Sequence, residues 1–168
     1  MADIGQLVLE AHTRLFDQHD TSVLDEYFAE DFVEHSPLIA DDAAGLRAFV
    51  EDLSESLKYT NARVITDTAN HLVALHGQFE GIEETPFVGF DIYRVHDGKI
   101  VEHWDNLVPE AAPNPSGRTQ LDGTTDPGDE SQTEENRKTV VEFFTRTLIG
   151  GDYSGFIDYT QNLSLIHI

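Results

Sequence analysis

The sequence predicts an α+β fold, with helices packed on one face of an antiparallel sheet. Three features carry that expectation. Apolar residues before Lys58 recur mostly at helical spacing. Those from Ala62 to Val108 fall in short β-branched and aromatic runs. A block of helices followed by a block of strands buries its apolar faces as two layers.

Gln6–Gln18 carries Leu7, Leu9, Ala11, Leu15 and Phe16 along one helical face. His19-Asp20-Thr21 interrupts it, and Asp20 or Thr21 caps a short second helix running through Phe28. Phe32-Val33-Glu34-His35 reads as a brief strand, closed by Ser36-Pro37. Asp41 or Asp42 then caps a third helix, whose buried stripe is Leu46, Phe49, Val50, Leu53 and Leu57. Strands follow at Ala62–Ala69, Leu72–Glu80, Phe87–Val95 and Ile100–Val108.

The last two strands flank Asp97-Gly98, a hairpin signal. A two-residue loop sets Val95 opposite Ile100 and Asp91 opposite Trp104, and mixes polar with apolar side chains on both faces. A three-residue loop, with Gly98 in a left-handed G1 bulge, sets Asp91 opposite His103 and Tyr93 opposite Val101. It gathers Phe90, Ile92 and Trp104 on one face and Asp91, Tyr93, His103 and Asp105 on the other. A one-residue slip exchanges the faces, so the patterning favours the bulged register. Two carboxylates and an imidazole then share one surface.

From Pro109 the composition shifts to Pro, Gly, Ser, Thr and acid. The expected organisation is a domain over 1–112, an acidic linker over 113–133 and a third segment over 134–162. That third segment restates the beginning of the chain. Setting Tyr27 on Tyr159 aligns Val8 with Val140, Glu10 with Glu142, Arg14 with Arg146, Asp20 with Asp152 and Ser22 with Ser154. It reads as the truncated start of a second copy. Leu163–Ile168 does not continue the pattern; it reads as an adapter-derived tail outside the fold, with a native apolar strand as the alternative.

The formal charge is −22. A field that negative repels nucleic acid and anionic membranes, so neither is an expected partner. The acid is either a solvated coat plus an acidic linker, or an adaptation that keeps a protein soluble at high salt. Cysteine is absent, which removes disulfides and thiolate chemistry. No apolar run approaches a membrane span, and the first residues lack a signal-peptide pattern, so a cytoplasmic location is expected.

Residues 5–108 resemble the SnoaL-like polyketide cyclase family of the nuclear transport factor two-like superfamily. The stretches carrying the resemblance are LFDQHDTSVLDEYFAEDFVEHSP and VGFDIYRVHDGKIVEHWDNLVP. They look most like the aldol-condensation branch, whose usual His-Asn-Pro is here His35-Ser36-Pro37. The resemblance implies a cone-shaped α+β barrel, in which a curved sheet wraps a long helix and leaves a pocket at its open end. It implies no cofactor. It also places Asp105 on the family's general acid/base, and Asp91 where the cyclases carry a histidine. Either the chemistry differs from that of the cyclases, or His103, opposite Asp91 in the bulged register, supplies that imidazole.

The catalytic candidates are therefore Asp105, Asp91 and His103, since proton removal beside a carbonyl needs a carboxylate whose pKa is raised in an apolar pocket. Substrate-binding candidates are His35, Tyr93, His76 and Trp104, although Trp104, Phe90 and Ile92 also suit a core or an interface. A metal held by these histidines and aspartates lacks tight ligand spacing, so none is expected. Arg94 falls on the face away from Asp91 and Asp105, which argues against the Asp-Arg-Asp arrangement of epoxide hydrolases. Two function classes result: a cofactor-independent enzyme acting on a small carbonyl compound by aldol-type cyclisation or isomerisation, or a non-catalytic small-molecule binding domain. A homodimer through the outer sheet face is expected, replaced by an intramolecular pseudo-dimer where two copies share one chain.

Overall fold

The computed structural model describes residues 3–53, 56–126 and 130–159. It divides into two compact units, residues 1–111 and 112–168. In the first, the Asp3 side chain caps α1 (Ile4–Phe16) by accepting from the amides of Gly5 and Gln6. Val8, Ala11, His12, Leu15 and Phe16 form the buried stripe of α1, so a histidine sits within an otherwise apolar face. The helix ends at Asp17, and His19 turns the chain through a left-handed φ of 55°. A short α2 (Val23–Tyr27) leads into β1 (Phe28–Glu34), a longer strand than the sequence pattern suggested. Asp42 caps α3 (Ala43–Asp52), which buries Leu46 and Val50.

Four strands follow: β2 (Lys58–Asp67), β3 (Leu72–Glu80), β4 (Phe87–His96) and β5 (Lys99–Pro109). The sheet order is β1-β5-β4-β3-β2. The meander from β2 to β5 is antiparallel, whereas β1 joins the far edge parallel to β5. The result is the expected α+β architecture, a curved sheet that is not closed into a full barrel. Helix α1 lies against it, so that Val8, Leu15, Val73, Leu75, Val95 and Ile100 share one core. Each such side chain, fully buried, contributes about 1.5–3 kcal/mol through the apolar area it removes from water.

The β4–β5 hairpin corrects the predicted register. Asp97 (φ 48°) and Gly98 (φ 77°) both take positive φ, the conformation of a two-residue type I′ turn. Val95 therefore pairs with Ile100, and no G1 bulge forms at Gly98. The extra residue appears one step later: Arg94 pairs with Glu102, leaving Val101 as a bulge in β5. Beyond it Tyr93 faces His103 and Asp91 faces Asp105, not His103 as the bulged-loop register required. Both registers differ from the plain two-residue pairing by one residue, in opposite directions. They therefore put the same side chains on the same face.

The second unit contains α4 (Thr133–Phe144), a wider π-type turn over Thr145–Ile149, and α5 (Gly155–Tyr159). Residues 160–162 and the proposed tail 163–168 lie outside the described residues.

Candidate active site

The concave side of the sheet carries a row of polar side chains that ought to be expensive to bury. Glu34, Asp91 and His103 are each at most 4% exposed. Their positions follow from strand alternation: Phe32 and Glu34 point inward from β1, Asp91 and Tyr93 from β4, and His103 from β5. Mutual pairing makes the burial tolerable. Nδ1 of His103 lies 2.8 and 2.9 Å from the two Glu34 oxygens, and its Nε2 lies 3.3 Å from Asp91 Oδ1. The Ser36 amide donates to Glu34 Oε1 at 2.9 Å. Burial works against a charge on His103, but its hydrogen bonds to Asp91 and Glu34, with their charges, outweigh it and raise the pKa to about 9. That shift favours the protonated imidazole between the two carboxyl groups at neutral pH.

Asp105 stands beside this array. It is half-buried, and its Oδ2 accepts the Ser36 hydroxyl at 2.8 Å. Desolvation raises its pKa, partly offset by the Ser36 hydrogen bond and the His103 charge; Asp91 and Glu34 push it up further. Asp91, His103, Asp105 and Ser36 meet at one cavity of about 140 Å³. Its remaining wall is apolar: Phe16, Ile39, Phe49, Leu57, Phe79 and Leu107 are among the lining residues, with exposed Leu38 at its edge. That volume is below the roughly 300–1,000 Å³ of sites for drug-sized ligands.

Of the residues singled out in the sequence, Asp91, His103 and Asp105 are brought together here. Tyr93 is buried behind them, stacked on His103 with ring centres 4.4 Å apart, and its hydroxyl is turned to His12 at 2.7 Å, away from the cavity. His35, His76 and Trp104 do not line the cavity. Trp104 pairs with Ile92 on the opposite face; His35 stacks on Trp104 and bonds Glu102 at 3.0 Å. His76 pairs with and stacks on Phe90 of that same outer face, with Arg63 on its Nδ1. Arg94 is also there, beside Glu102 and over Trp104. Two residues of the site, Glu34 and Ser36, were not among those the sequence singled out for it. Among the described residues no cluster of three or more His, Cys, Asp or Glu has a metal-holding arrangement.

A helix packed on a curved sheet, with carboxylates inside the final two strands, invites comparison with known families. Residues 9–103 match the profile of the SnoaL-like domain. This chain belongs to that family. Among solved structures, a SnoaL-like chain of this kind is similar to an NTF2-like protein of unknown function from Cytophaga hutchinsonii. The identity is 15%, covering 65% of this chain and 93% of that one, with a TM-score of 0.55. It is also similar to IdmH of Streptomyces antibioticus, provisionally described as a polyketide cyclase: 23% identity, 61% and 91% coverage, TM-score 0.50. An LEH-like epoxide hydrolase from M. tuberculosis gives 15% identity, 62% and 82% coverage, and a TM-score of 0.51. At these identities the structures speak for a shared NTF2-like fold. No curated protein matches the sequence. Ser36, in the His35-Ser36-Pro37 stretch that the sequence singled out, bonds directly to Asp105. No described helix is long and apolar enough to cross a membrane.

Proposed function

We propose that this protein is a cofactor-independent enzyme in which Asp105 removes a proton from the carbon beside a carbonyl, for aldol-type ring closure or isomerisation of a small, mostly apolar substrate. The observation that carries this reading is the convergence of Asp105 with Asp91 and His103 on a single apolar cavity. An apolar wall raises the basicity of a carboxylate, which suits it to general-base work near neutral pH. The proton passes to Asp105, the C–H electron pair becomes the new C=C bond, and the carbonyl π pair moves onto the oxygen. The resulting enolate either attacks a second carbonyl carbon, with Asp105 returning the proton to the new alkoxide, or, where a β,γ double bond makes it a dienolate, takes that proton back at the γ carbon. The His103 cation in the cavity wall stabilises the negative charge as it moves. Support of a coarser kind comes from the SnoaL-like family and from the provisional description of IdmH.

The test is a thermal-shift screen of the full chain against small carbonyl and polyketide-like compounds, followed by turnover assays of any hit. Asp105→Asn should keep binding and lose turnover, with a melting temperature within a few degrees of the parent. Wild-type turnover in that variant removes Asp105 from the mechanism. Binding without turnover in the parent leaves the non-catalytic binding domain.

A further inference from the structure

Two fully buried polar side chains take no part in the chemistry above. His12 comes from the middle of α1 and Tyr93 from β4. The His12 ring is enclosed by Phe16, Tyr59, Phe79 and Tyr93, with ring centres 4.2–5.8 Å away. Its Nδ1 lies 2.7 Å from the Tyr93 hydroxyl oxygen. Its Nε2 has no hydrogen-bond partner among the described residues, nor does Oδ2 of Asp91. These two atoms face each other at 3.9 Å.

We propose that His12 and Tyr93 are a positioning pair for Asp91: the Tyr93 hydroxyl fixes His12 as the Nε2–H tautomer, and that N–H holds the second carboxylate oxygen. The inference rests on the proposed function and deepens it, by assigning Asp91 to the fixed anion and leaving Asp105 as the base.

Hydrogen-bond accounting selects the tautomer. A buried phenol needs an acceptor for its proton, and among the described residues the partner its hydroxyl has is His12 Nδ1. With Nδ1 accepting, neutral imidazole carries its hydrogen on Nε2. In the opposite tautomer the phenol proton has no acceptor and the Nε2 lone pair confronts a carboxylate. Two buried groups would then be unsatisfied, at about 1–3 kcal/mol each. Desolvation lowers the His12 pKa to about 4, against the pull of Asp91 and with the help of His103, so the ring is neutral across the working range. A movement of under ~1 Å brings the 3.9 Å separation into hydrogen-bond range. Asp91 is then held at Oδ1 by His103 and at Oδ2 by His12. Asp105 has the Ser36 hydroxyl on Oδ2 and borders the apolar wall. Environments that differ this much divide two carboxylates between electrostatic and proton-transfer roles.

The test needs no substrate. Long-range 15N–1H correlation spectra of the labelled full chain report the protonation of each imidazole nitrogen, with His12 assigned by His12→Gln. At pH 7 His12 should appear as a single Nε2–H tautomer, and Tyr93→Phe should abolish that preference. His12→Leu should move the His103 Nε2 resonance, because Asp91 loses one of its two anchors. His12→Gln should restore it, since the glutamine amide reaches the place of Nε2. A purely structural role predicts the reverse order, with leucine better than glutamine in an aromatic cage. If leucine is not tolerated, Tyr93→Phe must itself shift the His103 signal. An Nδ1–H tautomer in the parent, or a His103 resonance indifferent to these changes, overturns the proposal. Loss of Asp105 from the mechanism leaves these spectra unchanged, so the two failures are distinguishable.

Discussion

Two of the buried histidines, His12 and His103, should give this protein a stability optimum bounded by opposite linkages. His103 has its pKa raised from 6.5 to about 9, because the hydrogen bonds of Asp91 and Glu34 overcome its desolvation. Above pH 6.5 the folded state therefore holds a proton that the unfolded chain releases. The stability this represents is complete below pH 6.5 and is lost as pH rises through 9. At about 1.4 kcal/mol per tenfold change in proton affinity, the gap amounts to about 3 kcal/mol. His12 runs the other way. Desolvation lowers its pKa from 6.5 to about 4, so its contribution is complete above pH 6.5 and is lost as pH falls toward 4. Stability should peak near pH 6.5, and the two limbs should separate by mutation. Denaturant unfolding from pH 4.5 to 9.5, on the parent, His103→Gln and His12→Gln, measures this. The His103→Gln curve should lie lower by about 3–5 kcal/mol near neutrality, because Glu34 and Asp91 lose the cation between them. It should approach the parent curve between pH 6.5 and 9. Parallel parent and His103→Gln curves over that interval refute the bridging cation.

Gly89 sits where β4 approaches β5 so closely that a Cβ would collide with the carbonyl oxygen of Asn106, which is backbone and cannot turn aside. Gly89→Ala should cost about 1–3 kcal/mol in denaturant unfolding, and an unchanged midpoint contradicts that packing. A formal charge of −22 predicts a melting temperature that rises between low and molar salt as self-repulsion is screened. A flat profile leaves only the solvated-coat reading of the acid. Phe90 and Ile92 are 40% and 36% exposed on the outer sheet face, and we expect a homodimer through it. Light scattering should show the dimer, and Ile92→Glu should yield monomer. A strict monomer at high concentration in the parent refutes it.

What the sequence revealed was parity; what it hid was register and partnership. Alternation alone assigns Asp91, Tyr93, His103 and Asp105 to one face, and every register of the same parity preserves that assignment. The pairing itself depends on a bulge at Val101, which no residue type announces, since Asp97-Gly98 closes a tight turn without it. His35, His76 and Trp104 do not line the cavity, for a reason that was partly legible. Trp104 follows His103, so it must point the other way, and His35 packs on it. His76 could be oriented only once its pairing with Phe90 was known. Glu34 and His12 were readable in retrospect. Glu34 is two residues beyond an inward Phe32, and His12 is one turn beyond Val8 in the buried stripe. A polar residue at a core position is the signal, and in both cases it was passed over in favour of the apolar pattern around it.

The same distinction bears on the second unit. There Arg146 bonds Asp152 and Asp158, while Ser154 bonds Asp152. In the first unit Arg14 bonds Asp20 and Glu26, and Ser22 bonds Asp20. The aligned residues thus make the same hydrogen bonds at the same helix junction. Most of the identities lie in this polar network, which holds the turn between two helices. Of the buried stripe Val8 recurs as Val140, but Ala11 corresponds to Phe143, His12 to Phe144 and Leu15 to Thr147. Phenylalanine has no N–H to offer an aspartate. Whatever surface α4 covers, it cannot reproduce the contact between α1 and Asp91, so the positioning pair belongs to the first unit. Phe144→His would restore the residue type but not the site. It should not produce the single Nε2–H tautomer expected of His12, because a side chain 48% exposed exchanges with water instead of facing a buried phenol.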